Sequence, residues 1–233
     1  MKLYTGDLSP YSAKIRMQIY AMGIEDDIGF DLPVEFMMGK MSQVSPIGRI
    51  PVLETDHGLI PESEVIAEYL DELYPHKALL GKTLQERAEA RVISKIADTY
   101  LMNNIFLSLS QANPDNRVQA VLDLLLGQVK RGIGALEQHI GTGQFAVGDI
   151  LTRADCTLTP ALWMCNSTVP RLGIDNPIKS GSRVSDYWQK IQSNSHAQRI
   201  LDEMTRGLQA RLDGTERRLA KEAIARAAQA DNR

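Results

Sequence analysis

Cysteine is scarce: Cys156 and Cys165 are the only two in 233 residues. So few thiols exclude a disulfide framework, and a separation of nine sets the pair on opposite faces of any helix they share, which argues against a bridge between them. Long apolar runs are missing as well. No stretch approaches the roughly 20 residues of a membrane span, and Met1-Lys2-Leu3-Tyr4-Thr5 lacks the apolar core of a signal peptide. The expectation is a cytoplasmic protein with no membrane partner. A basic excess is absent too: 26 Lys and Arg stand against 29 Asp and Glu, for a net charge of -3 and a pI near 5.8. That balance does not suit a phosphate backbone, so no nucleic acid is expected. The four histidines, His57, His76, His139 and His196, lie scattered without metal-ligand spacing, and no metal is expected.

What is present reads as two parts. A chain of 233 residues accommodates two small domains, and the pattern changes near residue 80. Lys2 to Thr5 is a short β-like run, followed by turn-prone Gly6-Asp7, then Ser9-Pro10, then a helical stripe of Ile15, Ile19 and Met22 closed by Gly23. Ile28 to Leu32 returns the chain to a second strand. Ile50 to Glu54 and Leu59 to Ile60 flank Thr55-Asp56-His57-Gly58, a spacer of hairpin length. Ser63 then opens a helix whose expected buried face is Val65, Ile66, Tyr69, Leu70 and Leu73, stopped ahead of Pro75. Beyond Gly81 the chain reads as four or five long helices, broken near Asn113-Pro114-Asp115, Gly141-Thr142-Gly143, Asn176-Pro177 and Ser193-Asn194-Ser195. Thr152-Arg153-Ala154-Asp155 fits a helix N-terminus with reciprocal capping. Glu216 to Ala230, rich in Ala, Arg, Lys and Glu, suits a solvated terminal helix or a frayed tail.

Three segments, in this order, carry a resemblance: Ser9-Pro10-Tyr11-Ser12, then Ser45-Pro46-Ile47-Gly48-Arg49-Ile50-Pro51-Val52-Leu53, then Pro61-Glu62-Ser63-Glu64-Val65-Ile66. Together they resemble the soluble glutathione transferase superfamily, most closely its serine-type bacterial and plant members. The resemblance covers the whole chain. It implies an α/β thioredoxin-like domain over residues 1–80 that binds glutathione, and an all-α domain over 86–233 that shapes a pocket for a hydrophobic electrophile. It also implies a homodimer and a detoxifying role.

The chemistry of each segment agrees. Glutathione ends in a γ-glutamyl group bearing both an ammonium and a carboxylate, so its site needs an acid beside an anion hole. Glu62 can pair with the ammonium, while the Ser63 hydroxyl and the free amides opening the helix can hold the carboxylate. The same residues could serve only the helix, with Ser63 as its cap and Glu62 at the positive end of the dipole. In the resembling family the proline matching Pro51 is cis, which implies that the Ile50 main chain pairs with the tripeptide's cysteine and that the Ile50 side chain matters little. Arg49 would meet the glycine carboxylate.

Ser9 carries the catalysis in this reading. A thiol of pKa near 8.5 is only about 3% ionised at pH 7, and lowering that pKa by roughly two units raises the fraction about 25-fold. A hydroxyl donating to the sulfur at a positive helix end acts in that direction. Ser12 is the reserve for the same task. Serine cannot form the mixed disulfide open to cysteine, so addition or substitution is expected rather than thiol exchange. Isomerase, dehalogenase and ether-cleaving lyase chemistry would use the same tripeptide site, and a non-catalytic glutathione-binding module is the alternative of another class. For the second substrate the candidates are Tyr11, Tyr100, Asn103 and Asn104, with Met102 and Phe106 beside them on the first long helix of the second domain.

Overall fold

The computed structural model describes residues 1–32, 34–43 and 45–230. Two compact units emerge: Met1–Ala78 together with the chain from Asp202 onward, and Leu79–Leu201.

In the first unit, β1 (Lys2–Tyr4) leads into α1 (Pro10–Met22), which returns the chain to β2 (Gly29–Asp31) parallel to β1. A parallel pair needs such a crossover, and the helix is the shortest way to supply it. β3 (Val52–Thr55) and β4 (Gly58–Pro61) form an antiparallel hairpin, and the sheet order is β2-β1-β3-β4. Thr55 pairs with Gly58, so the hairpin turns on Asp56 and His57 alone. Short helices α2 (Val34–Met37) and a 3-10 turn at Met41–Gln43 lie between the two halves of the sheet, and α3 (Ser63–Leu73) closes the unit.

The ends of α1 follow from its residues. Ser9 is the N-cap, Pro10 occupies a position where no amide is needed, and Gly23 takes the left-handed conformation at φ 59 so that its amide reaches the Ile19 and Tyr20 carbonyls. Ile15, Ile19 and Met22 are buried as expected, but so are Lys14, Arg16 and Gln18. α1 is therefore enclosed on all sides, and these three long polar side chains are paired. Lys14 forms an ion pair with Glu64, and Gln18 Nε2 donates to the Ala67 carbonyl (2.9 Å) and to Asp71 Oδ1 (3.2 Å). These contacts fix the rotation of α3. Ile66, Ala67, Leu70 and Asp71 face inward, whereas Val65 and Leu73, expected in the buried face, are 52% and 45% exposed. The apolar pattern alone missed the turn because two polar pairs set it.

The second unit is helical. α4 (Leu84–Ile96), a π-helical segment (Ala97–Met102) and α5 (Asn103–Ser108) run on from one another, followed by α6 (Gln119–His139), α7 (Arg153–Ser167) and α8 (Arg183–Ile191). α7 is its core. From Arg153 to Cys165 every residue of it is buried, including both cysteines, which are unbridged. Burial pushes the Cys165 thiol up to about 12, which leaves it inert at neutral pH. The Thr152–Asp155 capping box is present: Asp155 accepts from the Thr152 amide (2.8 Å) and Thr152 Oγ1 (3.1 Å), and also from the Ala146 amide (2.8 Å) and the Tyr187 hydroxyl (3.0 Å). At Gly132 of α6 an added Cβ would lie 2.4 Å from Leu101 Cδ1, so the helix meets the π-helical segment as closely as a side-chain-free residue permits.

α9 (Ser195–Leu212) starts in the second unit, and its residues from Asp202 belong to the first. α10 (Thr215–Ala230) follows and lies against α2. By sequence, residues 86–233 read as one helical domain. The stretch from Asp202 joins the first unit instead because Glu203 pairs with Arg16 and Tyr20 there, and Arg206 pairs with Asp7. Among the described residues no helix is long and apolar enough to cross a membrane, and no group of three or more His, Cys, Asp or Glu could hold a metal ion.

Candidate active site

The register of the sheet gathers the sequence's three segments at one end. Tyr4 pairs with Val52, and Val52 with Pro61. The loop leaving β1 toward Ser9, the residues entering β3 at Arg49-Ile50-Pro51, and the Glu62-Ser63 step leaving β4 therefore all emerge at the same end of the sheet. Neighbouring strands sit about 4.8 Å apart, so the three exits span roughly 10 Å.

Ser9 is half-buried at the tip of α1, and its Oγ accepts from the Ser12 amide at 3.3 Å. Accepting there leaves its own proton for a further partner. Ser12 is fully buried, and its Oγ has no hydrogen-bond partner among the described residues. A hydroxyl so enclosed offers a ligand no surface. Tyr11, between them in sequence with Pro10, is half-buried. Arg49 is exposed, Ile50 half-buried and Pro51 buried, and the Ile50–Pro51 peptide is cis. The Ile50 side chain packs on the first loop: a Cβ on Gly6 would sit 3.3 Å from Ile50 Cδ1.

Glu62 is exposed and stands at φ 71, ψ 115, and among the described residues it is the one non-glycine at positive φ. Such a conformation costs on the order of 1–3 kcal/mol and persists only where the surroundings impose it. Glu62 occupies the N-cap position of α3, yet its side chain makes no capping bond. Ser63 is the first helical residue rather than the cap, 7% exposed, and its Oγ is engaged by no described residue. Ser63 is thus not the cap of α3, while Glu62 stands at the positive end of the helix without a capping bond. An acid, a hydroxyl and the uncapped first amides of an 11-residue helix thus stand at successive positions where α3 begins.

The candidates in the second unit are placed differently. Tyr100 is half-buried within the π-helical segment, Asn103 is exposed, Met102 is buried and Phe106 is 42% exposed. Asn104 is buried, and its Nδ2 donates to the Thr99 (2.8 Å) and Tyr100 (3.1 Å) carbonyls. A π turn displaces carbonyls from the α-helical ladder, and Asn104 satisfies two of them. Neither the widened turn nor the strain at Glu62 has a sequence signal, since Asp98-Thr99-Tyr100 and Glu62-Ser63 are ordinary helix text. The buried Arg16 had one: three long polar residues at alternate positions of a helix read as amphipathic.

A four-stranded mixed sheet with helices, followed by an all-helical unit, defines the two-domain glutathione transferase fold. Residues 3–78 match the family model described as glutathione S-transferase, N-terminal domain, and residues 96–193 the one described as glutathione S-transferase, C-terminal domain. The maleylacetoacetate isomerase of Pseudomonas aeruginosa is 31% identical over 176 residues, which cover 70% of this chain and 80% of that protein. Elongation factor 1-gamma 3 of Oryza sativa subsp. japonica is 26% identical over 160 residues, 68% of this chain but only 38% of that protein. The crystal structure of a glutathione transferase family member from Pseudomonas fluorescens Pf-5, with bound glutathione, shares the fold at TM-score 0.70 and 20% identity, covering 85% of this chain and 97% of that one. The chain belongs to the glutathione S-transferase superfamily.

Proposed function

We propose that the protein binds glutathione at this end of the sheet and uses its thiolate to attack a hydrophobic electrophile. The observation that carries the reading is Glu62, held at φ 71 with its carboxylate unspent, directly before a Ser63 hydroxyl that no described residue uses. Glu62 takes the γ-glutamyl ammonium, and Ser63 with the first amides of α3 takes the adjacent carboxylate. The Ile50 main chain aligns the cysteinyl residue, and Arg49 meets the glycine carboxylate. An extended tripeptide is about 10 Å long, which matches the three strand exits it would cross. Ser9 donates its remaining proton to the sulfur at the positive end of the 13-residue helix α1. Holding the thiolate in this way to lower its pKa by two units is worth roughly 2.7 kcal/mol.

In transfer, the sulfur lone pair forms a C–S bond, a leaving group departs or a proton is taken up at the acceptor, and the thioether is released. The 31% identical relative named an isomerase favours a second reading on the same site. There the thiolate adds to an activated double bond, the resulting single bond rotates, and elimination returns glutathione unchanged. Stoichiometry separates the two: transfer consumes one glutathione per turnover, whereas isomerisation consumes none. Elongation factor 1-gamma among the relatives gives the non-catalytic module a place in the test, where it would bind glutathione without turnover on any electrophile. For the site itself, titration calorimetry of Glu62→Ala should read at least a 30-fold weaker glutathione affinity, about 2 kcal/mol for a lost charged partner. An affinity equal to the parent's would remove Glu62 from the site and the reading with it.

A further inference from the structure

We infer that Glu203, Arg206 and Gly207 of α9 form a positioning element for Ser9, Glu203 acting through the buried guanidinium of Arg16 and the other two directly on the loop ahead of the serine. The inference rests on the assignment of Ser9 as the thiolate's partner and concerns what holds that serine in place. Arg16 is 3% exposed at its side chain, and four of its five N–H donors go to one loop and one acid. Nη1 donates to Thr5 Oγ1 (2.6 Å) and the Gly6 carbonyl (2.9 Å), Nη2 to the Asp7 carbonyl (3.1 Å), and Nε to Glu203 Oε2 (2.7 Å). The Gly6 carbonyl is also the acceptor of the Ser9 amide, at 3.1 Å. One oxygen thus joins Arg16 to the backbone of the serine.

From the other side, α9 sets both the guanidinium and the loop. Glu203 Oε1 is fixed by the Tyr20 hydroxyl (2.9 Å), so the carboxylate is held between two residues of α1. Arg206 Nε donates to Asp7 Oδ2 at 3.0 Å. At Gly207 an added Cβ would lie 2.7 Å from the Leu8 amide nitrogen and 3.1 Å from the Asp7 carbonyl carbon, so helix backbone meets loop backbone. Positions 203, 206 and 207 share one helical face. What they touch, directly or through Arg16, is Thr5, Gly6, Asp7 and Leu8, the four residues ahead of Ser9. A hydrogen bond to a reacting atom works only within a narrow geometry, and displacement by about 1 Å can cost two orders of magnitude in rate. The face therefore acts on the pKa of the bound thiol, whereas a plain structural clamp would act on melting alone.

The test titrates the thiolate absorbance of glutathione bound to the full-length protein, with affinity measured beside it. Glu203→Ala should reduce the bound thiolate at neutral pH about tenfold while glutathione affinity changes less than threefold, because Glu62 and Ser63 are untouched. Glu203→Gln keeps an acceptor for Arg16 and should restore most of the thiolate. Arg206→Ala, at a side chain 64% exposed, leaves the buried pair in place and should reduce the thiolate at least twofold. Parent-like titrations in Glu203→Ala and Arg206→Ala overturn the inference. So does a Glu203→Gln protein as impaired as Glu203→Ala. If Glu203→Ala does not fold, an unchanged titration in Arg206→Ala overturns it alone. Ser9→Ala separates the two levels. A parent-like thiol in that variant removes the Ser9 assignment and the inference together, whereas a raised thiol pKa there with unmoved α9 variants removes only the role of α9.

Discussion

At the scale of single residues, the site is readable from the sequence where chemistry is tied to residue type and hidden where it is tied to backbone. Glu62 and Ser63 can be picked out as an acid and a hydroxyl suited to a zwitterionic amino acid, but φ 71 at Glu62 is invisible in the letters. That angle makes a prediction. A glycine at position 62 adopts positive φ without steric cost, so Glu62→Gly should relieve strain and raise stability by about 1 kcal/mol. The same change deletes the ammonium's partner, so glutathione affinity should fall at least tenfold. Chemical denaturation and calorimetry on one preparation check both. A variant less stable than the parent would mean that Glu62 is comfortable where it stands and that its conformation reports no function.

Elements were legible through their ends more than through their faces. Ser9, Gly23 and the Thr152–Asp155 pair mark termini by mechanisms local to a few residues, and the structure has them where the sequence put them. The inner face of α3 was misread because Lys14 and Gln18 turn it, and they are distant in sequence. Asn104, a pocket candidate by sequence, gives its Nδ2 to two carbonyls of the π turn. The cap of α7 extends past what its four residues announce, since Asp155 also accepts from Tyr187 of α8. Burial pushes the Asp155 carboxyl up while its four donors pull it back, and burial next to that carboxyl holds the Tyr187 phenol well above its ordinary value. The unfolded chain releases this proton near pH 10 and the folded chain keeps it, so the group's contribution is full below pH 10 and is lost as pH rises toward the folded value. Tyr187→Phe should cost about 1–2 kcal/mol at neutral pH through the lost bond to Asp155. It should also remove up to about 1.4 kcal/mol per pH unit from the decline in stability above pH 10. Denaturation midpoints at neutral and alkaline pH test this, and parallel curves for the two proteins would show that the phenol does not carry the alkaline slope.

For the molecule as a whole, helical periodicity runs on past Asp202, whereas the residues from Asp202 group with the first unit. Helical periodicity cannot tell which unit a terminal helix packs on, because only long-range partners decide it. Here the partner is the Arg16 guanidinium, 187 residues away from Glu203. A chain cut after Leu201 would lack Glu203, Arg206 and Gly207 and would leave an almost fully enclosed cation without its counter-charge. Breaking a buried pair from one side costs about 3–5 kcal/mol, against the roughly 5–15 kcal/mol that holds a typical domain together. Melting of the shortened protein should therefore fall by on the order of 10 °C, whereas a chain ending at Gly214 retains all three contacts and loses only α10. Circular dichroism melts of the two truncations beside the full chain discriminate. If the chain ending at Leu201 melts with the parent, the first unit is complete without α9, and Arg16 finds its charge balance among the residues of the first loop alone.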